Sequence, residues 1–275
     1  MKTVVLDPGH GKRDPGRIAI DGIAEKVFNW KVCEALGNYL REHYLVKVIY
    51  THEGPETSLS PTDALADELR RRANKANGSR ADLLVSIHHD GSDNLEVRGG
   101  SLWIWTKLLT PEGELRWLPA AGNHTDPKTH PIAAQMVGPI RDLLATYGIP
   151  WRSLGDPDGV SCANFGVLSA TSGPALLLEC MFGTSPQDVA AARKPEFIPD
   201  LSRTIAEAIA KALGLEAKES IPAIPAGAIL VNGVPLQLDA RNEQGHTVGR
   251  LRALAEALGG KVRWDSERRV MTVEN

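Results

Sequence analysis

The chain has 275 residues, enough for one large domain and a small second one around a sizeable core. Its apolar (42%) and charged (24%) fractions are ordinary for a globular protein, and a net charge of −3 gives no electrostatic reason to expect nucleic acid or an anionic membrane as partner. No window approaches the roughly 20 apolar residues of a membrane span. Cys33, Cys162 and Cys180 form no CxxC pair and read as free thiols of a chain made in a reducing compartment. MKTVVLDPGHG enters an apolar run at once, without the features of a secretory signal peptide, so the expectation is synthesis in the cytoplasm without a leader.

Thr3 to Leu6 is a short apolar run stopped by Asp-Pro-Gly, which predicts a buried strand ending in a loop. Glu25 to Glu42 carries apolar residues at helical spacing: Val27, Phe28, Val32, Leu36 and Leu40. Leu45 to Tyr50 predicts a second strand, and Pro61 to Asn77 a second helix stopped by Gly78. Leu83 to Ile87 is a third strand running directly into His88. This alternation predicts an α/β fold: a mixed, mainly parallel sheet with helices on both faces, whose ligands bind at the carboxyl ends of the strands.

Further along, Gly99 to Thr106 reads as a strand and 110–130 as a long loop. Pro131 to Tyr147 reads as a helix, Ala175 to Leu178 as a last buried strand ending in Glu179, and Phe197 to Leu213 as a closing helix. The domains expected are 1–215, a Pro-containing linker 216–227, and a small α+β domain 228–275. In that tail, Asn232-Gly233 marks a hairpin, Val248 to Leu258 an amphipathic helix, and Val262 and Val270 to Val273 strands.

The residues that carry chemistry are scattered: His10 in LDPGHG, Glu25, His88 in SIHHD and Glu179 in LLLECMFG. His10 lies between Gly9 and Gly11, which let the backbone turn tightly around a ligand, and Asp7 is placed to orient its imidazole. PGHGKRDPG fits neither glycine-rich phosphate-loop pattern. Glu25 opens a helix, where the dipole favours an acid in any case. Strand alternation lets only one of His88 and His89 face the site; His88 is chosen because it shares a face with Ser86 nearer the strand end, and His89 is the alternative. Two histidines and a carboxylate on rigid supports suit a catalytic zinc ion, which takes three protein ligands and keeps a position open. Glu179, a carboxylate ending an apolar run, fits better as the acid–base group than as a ligand.

With these residues in view, LDPGHG followed by Asp14 and Gly16, then Glu25, SIHHD and LLLECMFGTSPQD resembles the zinc-dependent N-acetylmuramoyl-L-alanine amidases of the amidase type 3 family over about residues 2–214. The resemblance implies one zinc ion on His10, Glu25 and His88, with Glu179 as catalytic acid. It also implies peptidoglycan as substrate, cut at the amide between the lactyl group of N-acetylmuramic acid and L-alanine. His89-Asp90 stands where the family often has Ala-Asn, and Met181-Phe182 where Gly-Phe is usual. Together with the missing leader, the resemblance points first to a phage endolysin and then to a lysis-phase autolysin, acting on the cell wall after release. The alternatives are a catalytically silent wall-binding protein and a zinc peptidase or deacylase for another amide. The tail is similar to the small stalk domain first named from copper amine oxidases; it holds no copper ligands, and a cell-wall ligand or a stabilising role is expected of it, with Arg263 and Trp264 as a carbohydrate face or core.

Overall fold

A computed structural model describes residues 1–57, 59, 64–105, 128–153 and 158–218 in full, and elsewhere only the backbone of the short strands named below. The chain divides into two compact units, Met1–Lys218 and Glu219–Asn275.

In the first unit β1 (Lys2–Pro8), α1 (Glu25–His43), β2 (Val46–Tyr50), α2 (Leu65–Gly78) and β3 (Leu83–Asp90) follow in alternation. They are followed by β4 (Ser101–Ile104), the two-residue strands β5 (Leu108–Leu109) and β6 (Leu115–Arg116), α3 (Thr129–Thr146), β7 (Val160–Cys162) and α4 (Gly166–Ser169). β8 (Ala175–Phe182), α5 (Pro186–Ala192) and α6 (Phe197–Leu213) complete it. The main sheet has the order β2-β1-β3-β8-β4-β7, parallel throughout except where β4 runs against β8. It is the mixed, mainly parallel α/β sheet expected. From β1 the chain passes to β2 on one side and then to β3 on the other, so the carboxyl ends of β1 and β3 frame the point where the strand order reverses. A crevice opens at such a point.

Strand residues of alternate parity face opposite ways, and each face has its own core. Val4, Leu6, Val85, Ile87, Leu176 and Leu178 pack against Phe28, Val32 and Leu36 of α1, Met136 and Ile140 of α3, and Leu201, Ile205 and Ile209 of α6. Val5, Leu84 and Leu177 pack the other way, against Ala76 of α2 and Val167 and Leu168 of α4. Both faces are therefore covered, which is why these strands read as continuous apolar runs.

Two strands extend past their expected ends. β3 continues through His88, His89 and Asp90, and all eight residues of β8 are buried through Phe182. Polar residues at the ends of the apolar runs mask the continuation, although the backbone still pairs. α2 starts at Leu65, and 61–63, its expected first turn, lie outside the described residues. α3 starts at Thr129, which puts Pro131 in the first turn, where no helical partner awaits its missing N–H. Of the expected loop 110–130, residues 110–114 and 117–127 lie outside the described residues. Cys33 and Cys180 are buried free thiols, and Cys162 is half-buried.

In the second unit β9 (Ile229–Val231), β10 (Val234–Leu236), β11 (Lys261–Asp265) and β12 (Val270–Glu274) form a sheet of order β10-β9-β12-β11. β9 and β10 are antiparallel, with Val231 opposite Val234. The Asn232-Gly233 turn between them and the helix expected over Val248 to Leu258 lie outside the described residues. Pro235 sits on the edge strand, where a missing ladder donor is tolerated.

The end of β8 is anchored by Asp188, fully buried at the start of α5. One carboxylate oxygen accepts from the Gly99 and Phe182 amides at 2.7 and 3.1 Å, and the other lies 3.2 Å from Arg98 Nε. Asp188→Ala leaves the buried Gly99 and Phe182 amides without an acceptor and is expected to cost about 1–3 kcal/mol in urea unfolding.

Candidate metal centre and its acid

The loop after β1 turns sharply. His10 and Lys12 hold left-handed backbone (φ 64° and 49°), a conformation that non-glycine residues adopt only when their surroundings fix it. Gly9 donates its N–H to the Ile87 carbonyl of β3, so the loop is laced to the neighbouring strand. The turn brings His10 back over the sheet to meet Glu25, the first residue of α1, and His88 near the end of β3. One ligand atom from each of the three lies within 4.8 Å of the others.

Glu25 is the centre of this group. Its Oε2 lies 3.2 Å from His10 Nε2 and accepts the Arg17 N–H at 2.9 Å. Its Oε1 lies 2.9 Å from His88 Nδ1 and accepts from the His89 N–H and Asn29 Nδ2, each at 3.2 Å. Burial by itself raises the pKa of this carboxyl, but His10 and His88 outweigh it and hold Glu25 well below the usual carboxylate range. Burial lowers the pKa of His10, yet Glu25 and Asp14 more than reverse this and raise it.

The expected orienting role of Asp7 is not found. Asp7 is buried beneath the loop and accepts from Thr51 Oγ1, Ser86 Oγ and Arg72 Nη1. Asp14 takes that position instead, its carboxylate 2.9 Å from His10 Nδ1. The physical reason is the left-handed turn at His10, which swings the imidazole away from the strand it follows and over the residues ahead of it. A carboxylate on Nδ1 fixes the tautomer and leaves Nε2 as the free donor atom, the arrangement of metal-binding histidines.

His88 and His89 face opposite ways. His88 shares its face with Ser86 and pairs in register with Glu179 of β8. His89 enters the α1 side, where its ring meets Phe28 edge-on and lines a separate cavity of about 280 Å³ with Met181, Val189 and Ile198. Only its backbone N–H reaches the cluster.

Space for the cluster is made by two glycines. A Cβ on Gly16 (φ 66°) would sit 2.6 Å from both Glu25 Oε2 and His10 Cδ2, and one on Gly9 would fall 2.2 Å from the His88 ring. Two imidazoles, one carboxylate and a second carboxylate on the back of one imidazole therefore fit a three-ligand metal site in donor type and in room.

Glu179 lies beside this group but is not part of it. Its neighbour across β8 and β4 is Ser101. The carboxyl is buried and Oε2 has no hydrogen-bond partner. Burial, then the charges of Glu25 and Asp90, raise its pKa well above the ordinary carboxylate value, against a smaller opposing effect of Arg152. The Arg152 guanidinium lies 4.6 Å above the Phe182 ring and 3.5 Å from Asp90. An unpartnered acid with raised proton affinity is suited to taking and giving a proton.

Sequence reasoning missed Asn29, Arg72 and Arg152. The signal for Arg72 is present: Glu68, Arg72 and Ala76, spaced by four, are the buried stripe of α2, while Arg70 and Arg71 lie off it. For Arg152 there is none, because a cation after a loop carries no period. Gly16→Ala is expected to abolish stoichiometric metal uptake, measured by elemental analysis after dialysis, while far-ultraviolet circular dichroism stays that of the parent.

A family model described as N-acetylmuramoyl-L-alanine amidase matches residues 4–211. The endolysin of Bacillus phage SPP1 is 29% identical over 217 residues, which are 79% of this chain and 68% of that protein. A Buchnera aphidicola relative is 32% identical over 105 residues, 38% of this chain and 40% of the relative's length. Among solved structures, the N-acetylmuramoyl-L-alanine amidase from Clostridium difficile superposes with a TM-score of 0.61 at 25% identity, covering 78% of this chain and 97% of that one. By the extent of the family match, over an α/β sheet whose strand ends gather two histidines and two acids, the chain belongs to the N-acetylmuramoyl-L-alanine amidase family.

Proposed function

We propose that the chain is a zinc-dependent peptidoglycan amidase that hydrolyses the bond between the lactyl carbonyl of N-acetylmuramic acid and the nitrogen of L-alanine. The observation that carries this reading is the convergence of His10, Glu25 and His88 beside an unpartnered, buried Glu179, in a chain of this family. His10, Glu25 and His88 would hold one zinc ion, which when bound supplies Lewis-acid polarisation of the scissile carbonyl.

Glu179 takes the proton chemistry. It accepts a proton from the attacking water as the oxygen adds to the lactyl carbon. It then delivers that proton to the L-alanine nitrogen as the carbon–nitrogen bond breaks; the second water proton leaves the new carboxyl for the amine, giving a muramoyl carboxylate and an ammonium group. Asp14 holds the His10 ring in place during this, and the Arg17, Asn29 and His89 donors keep the Glu25 carboxylate ionised and fixed.

An endolysin or lysis-phase autolysin acting on the bacterial wall is the biological setting favoured by the similarity to the phage protein. Among the described residues no helix is long and apolar enough to cross a membrane. The remaining chain is read as a linker, 216–227, and a small domain, 228–275, that binds a wall component or stabilises the enzyme.

The test uses purified wall fragments with and without a chelator. New L-alanine amino ends without new reducing sugar ends are expected, and full zinc removal should abolish them. Sugar ends, or amino ends that persist after chelation, refute the reading, and a silent wall-binding protein gives neither. Glu179→Ala is expected to retain zinc and lose turnover by 10²-fold or more, on the order of a lost general acid–base group, whereas His10→Ala loses both.

The pH dependence follows from the charges around Glu179. As a base it works ionised, so kcat/KM should fall as pH drops through its pKa, which burial and the Asp90 charge raise and the Arg152 charge lowers. Removing the Arg152 charge (Arg152→Gln) should move this limb to higher pH, and removing the Asp90 charge (Asp90→Asn) to lower pH, in pH–rate profiles at saturating zinc.

A further inference from the structure

Arg72 is reached by none of the chemistry above, yet it bonds to the backbone of the loop that carries His10 at two points. It lies on α2 with its guanidinium buried under the turn that carries His10. Nε donates to Glu68 Oε1 at 2.9 Å. Nη1 donates to the Pro8 carbonyl at 2.7 Å and to Asp7 Oδ1 at 3.2 Å, and Nη2 donates to the His10 carbonyl at 2.6 Å. Between those two carbonyls, that of Gly9 accepts from Asn29 Nδ2 at 3.1 Å. Three successive carbonyls of the turn are thus held by side chains of α1 and α2, at the place where the backbone enters the left-handed region at His10.

The carboxylates set the guanidinium in turn. Asp7 is itself fixed by Thr51 and Ser86, and Glu68 also accepts the Leu59 N–H at 2.8 Å. One planar group therefore has its orientation fixed from below and imposes it on the loop above. A point-charge ammonium in its place satisfies a carboxylate but not two carbonyls in different directions.

We propose that Arg72 is a positioning residue for the metal centre: its fork holds the Pro8 and His10 carbonyls so that the His10 imidazole stands ready for the metal, and it thereby sets zinc affinity. This rests on the zinc reading above. A role confined to neutralising Asp7 and Glu68 predicts instead that any cation at this position serves equally well for metal binding.

The test compares the full-length parent, Arg72→Lys and Arg98→Lys, each stripped of metal. Arg98→Lys is the control, because it perturbs another arginine paired to a buried acid, Asp188, that contacts none of the proposed ligands. Zinc affinity is read by competition with a chromophoric chelator, the apo fold by urea unfolding, and ligand geometry by the visible absorption of the cobalt-substituted protein. Arg72→Lys is expected to weaken zinc binding by about 10- to 100-fold, the range for partners that orient metal ligands, and to alter the cobalt spectrum. Arg98→Lys is expected to lower the urea midpoint while leaving zinc affinity and the cobalt spectrum as in the parent. If Arg72→Lys does not fold, the variant Asp7→Asn/Glu68→Gln/Arg72→Met, which leaves none of the three paired groups charged, is measured in the same way and should show the same loss. Zinc affinity within about twofold of the parent in whichever variant folds, or an equal loss in Arg98→Lys, overturns the proposal. A parent that binds no zinc removes the underlying reading too, whereas a binding parent with an unchanged variant removes this inference alone.

Discussion

A carboxylate taken out of water must be met by donors or cations, or it gives up its charge by protonation. Glu25 is only 3% exposed, and the loops around the sheet end are arranged to meet it. The Arg17 and His89 amides, the Asn29 side chain and the two imidazoles all converge on its two oxygens. Because α1 starts at this residue, the group that fixes the helix in place is also the group that draws His10 and His88 together. Moving it would release the loop after β1, the end of β3 and the first turn of α1 at once.

Two acids then lie at one sheet end with opposite environments. Glu25 is surrounded by groups that favour its charge, whereas Glu179 is buried beside acids and has an oxygen with no partner. Environments that push two carboxyls apart in proton affinity allow one to remain a fixed charge while the other exchanges a proton. The fold produces this difference by placement: the Glu25 oxygens meet the Arg17 and His89 amides and the Asn29 side chain, whereas Glu179 is buried on β8 beside Glu25 and Asp90, with Oε2 meeting no donor.

Much of this was legible from the chain. The parallel α/β sheet followed from apolar runs alternating with helical periodicity, since strands covered on both faces leave that trace. His10, His88 and Glu179 were visible because each stands near the end of such a run, whereas Glu25 opens a helix and is singled out only together with them. The choice of His88 over His89 needed only the two-residue repeat of a strand, and the two rings do face opposite ways. What was not legible depends on dihedral angles and long-range contacts. Asp7 was read as the partner of His10, and Asp14 takes that place because of a left-handed turn that leaves no mark in composition. Arg72 disappears in a run of three arginines until the helix face is known. β3 and β8 outlast their apolar runs because pairing, not hydropathy, carries them through His88 and Glu179.

The pairing of β3 with β8 runs in register from Leu84 opposite Ala175 to His88 opposite Glu179, then slips, so that Asp90 faces Phe182. The extra residue sends both Cys180 and Met181 into the α1 side of the molecule. A frame shift at this point separates two regimes of sequence. Below it, an inserted or deleted residue would invert every side chain and destroy the fold; above it, the ladder has already broken step. His88 and Glu179 are the last pair before the slip, so the two groups stand on the part of the ladder whose register cannot move. The slip thus lies one residue beyond the chemistry and leaves the spacing of the imidazole and the acid to the regular ladder.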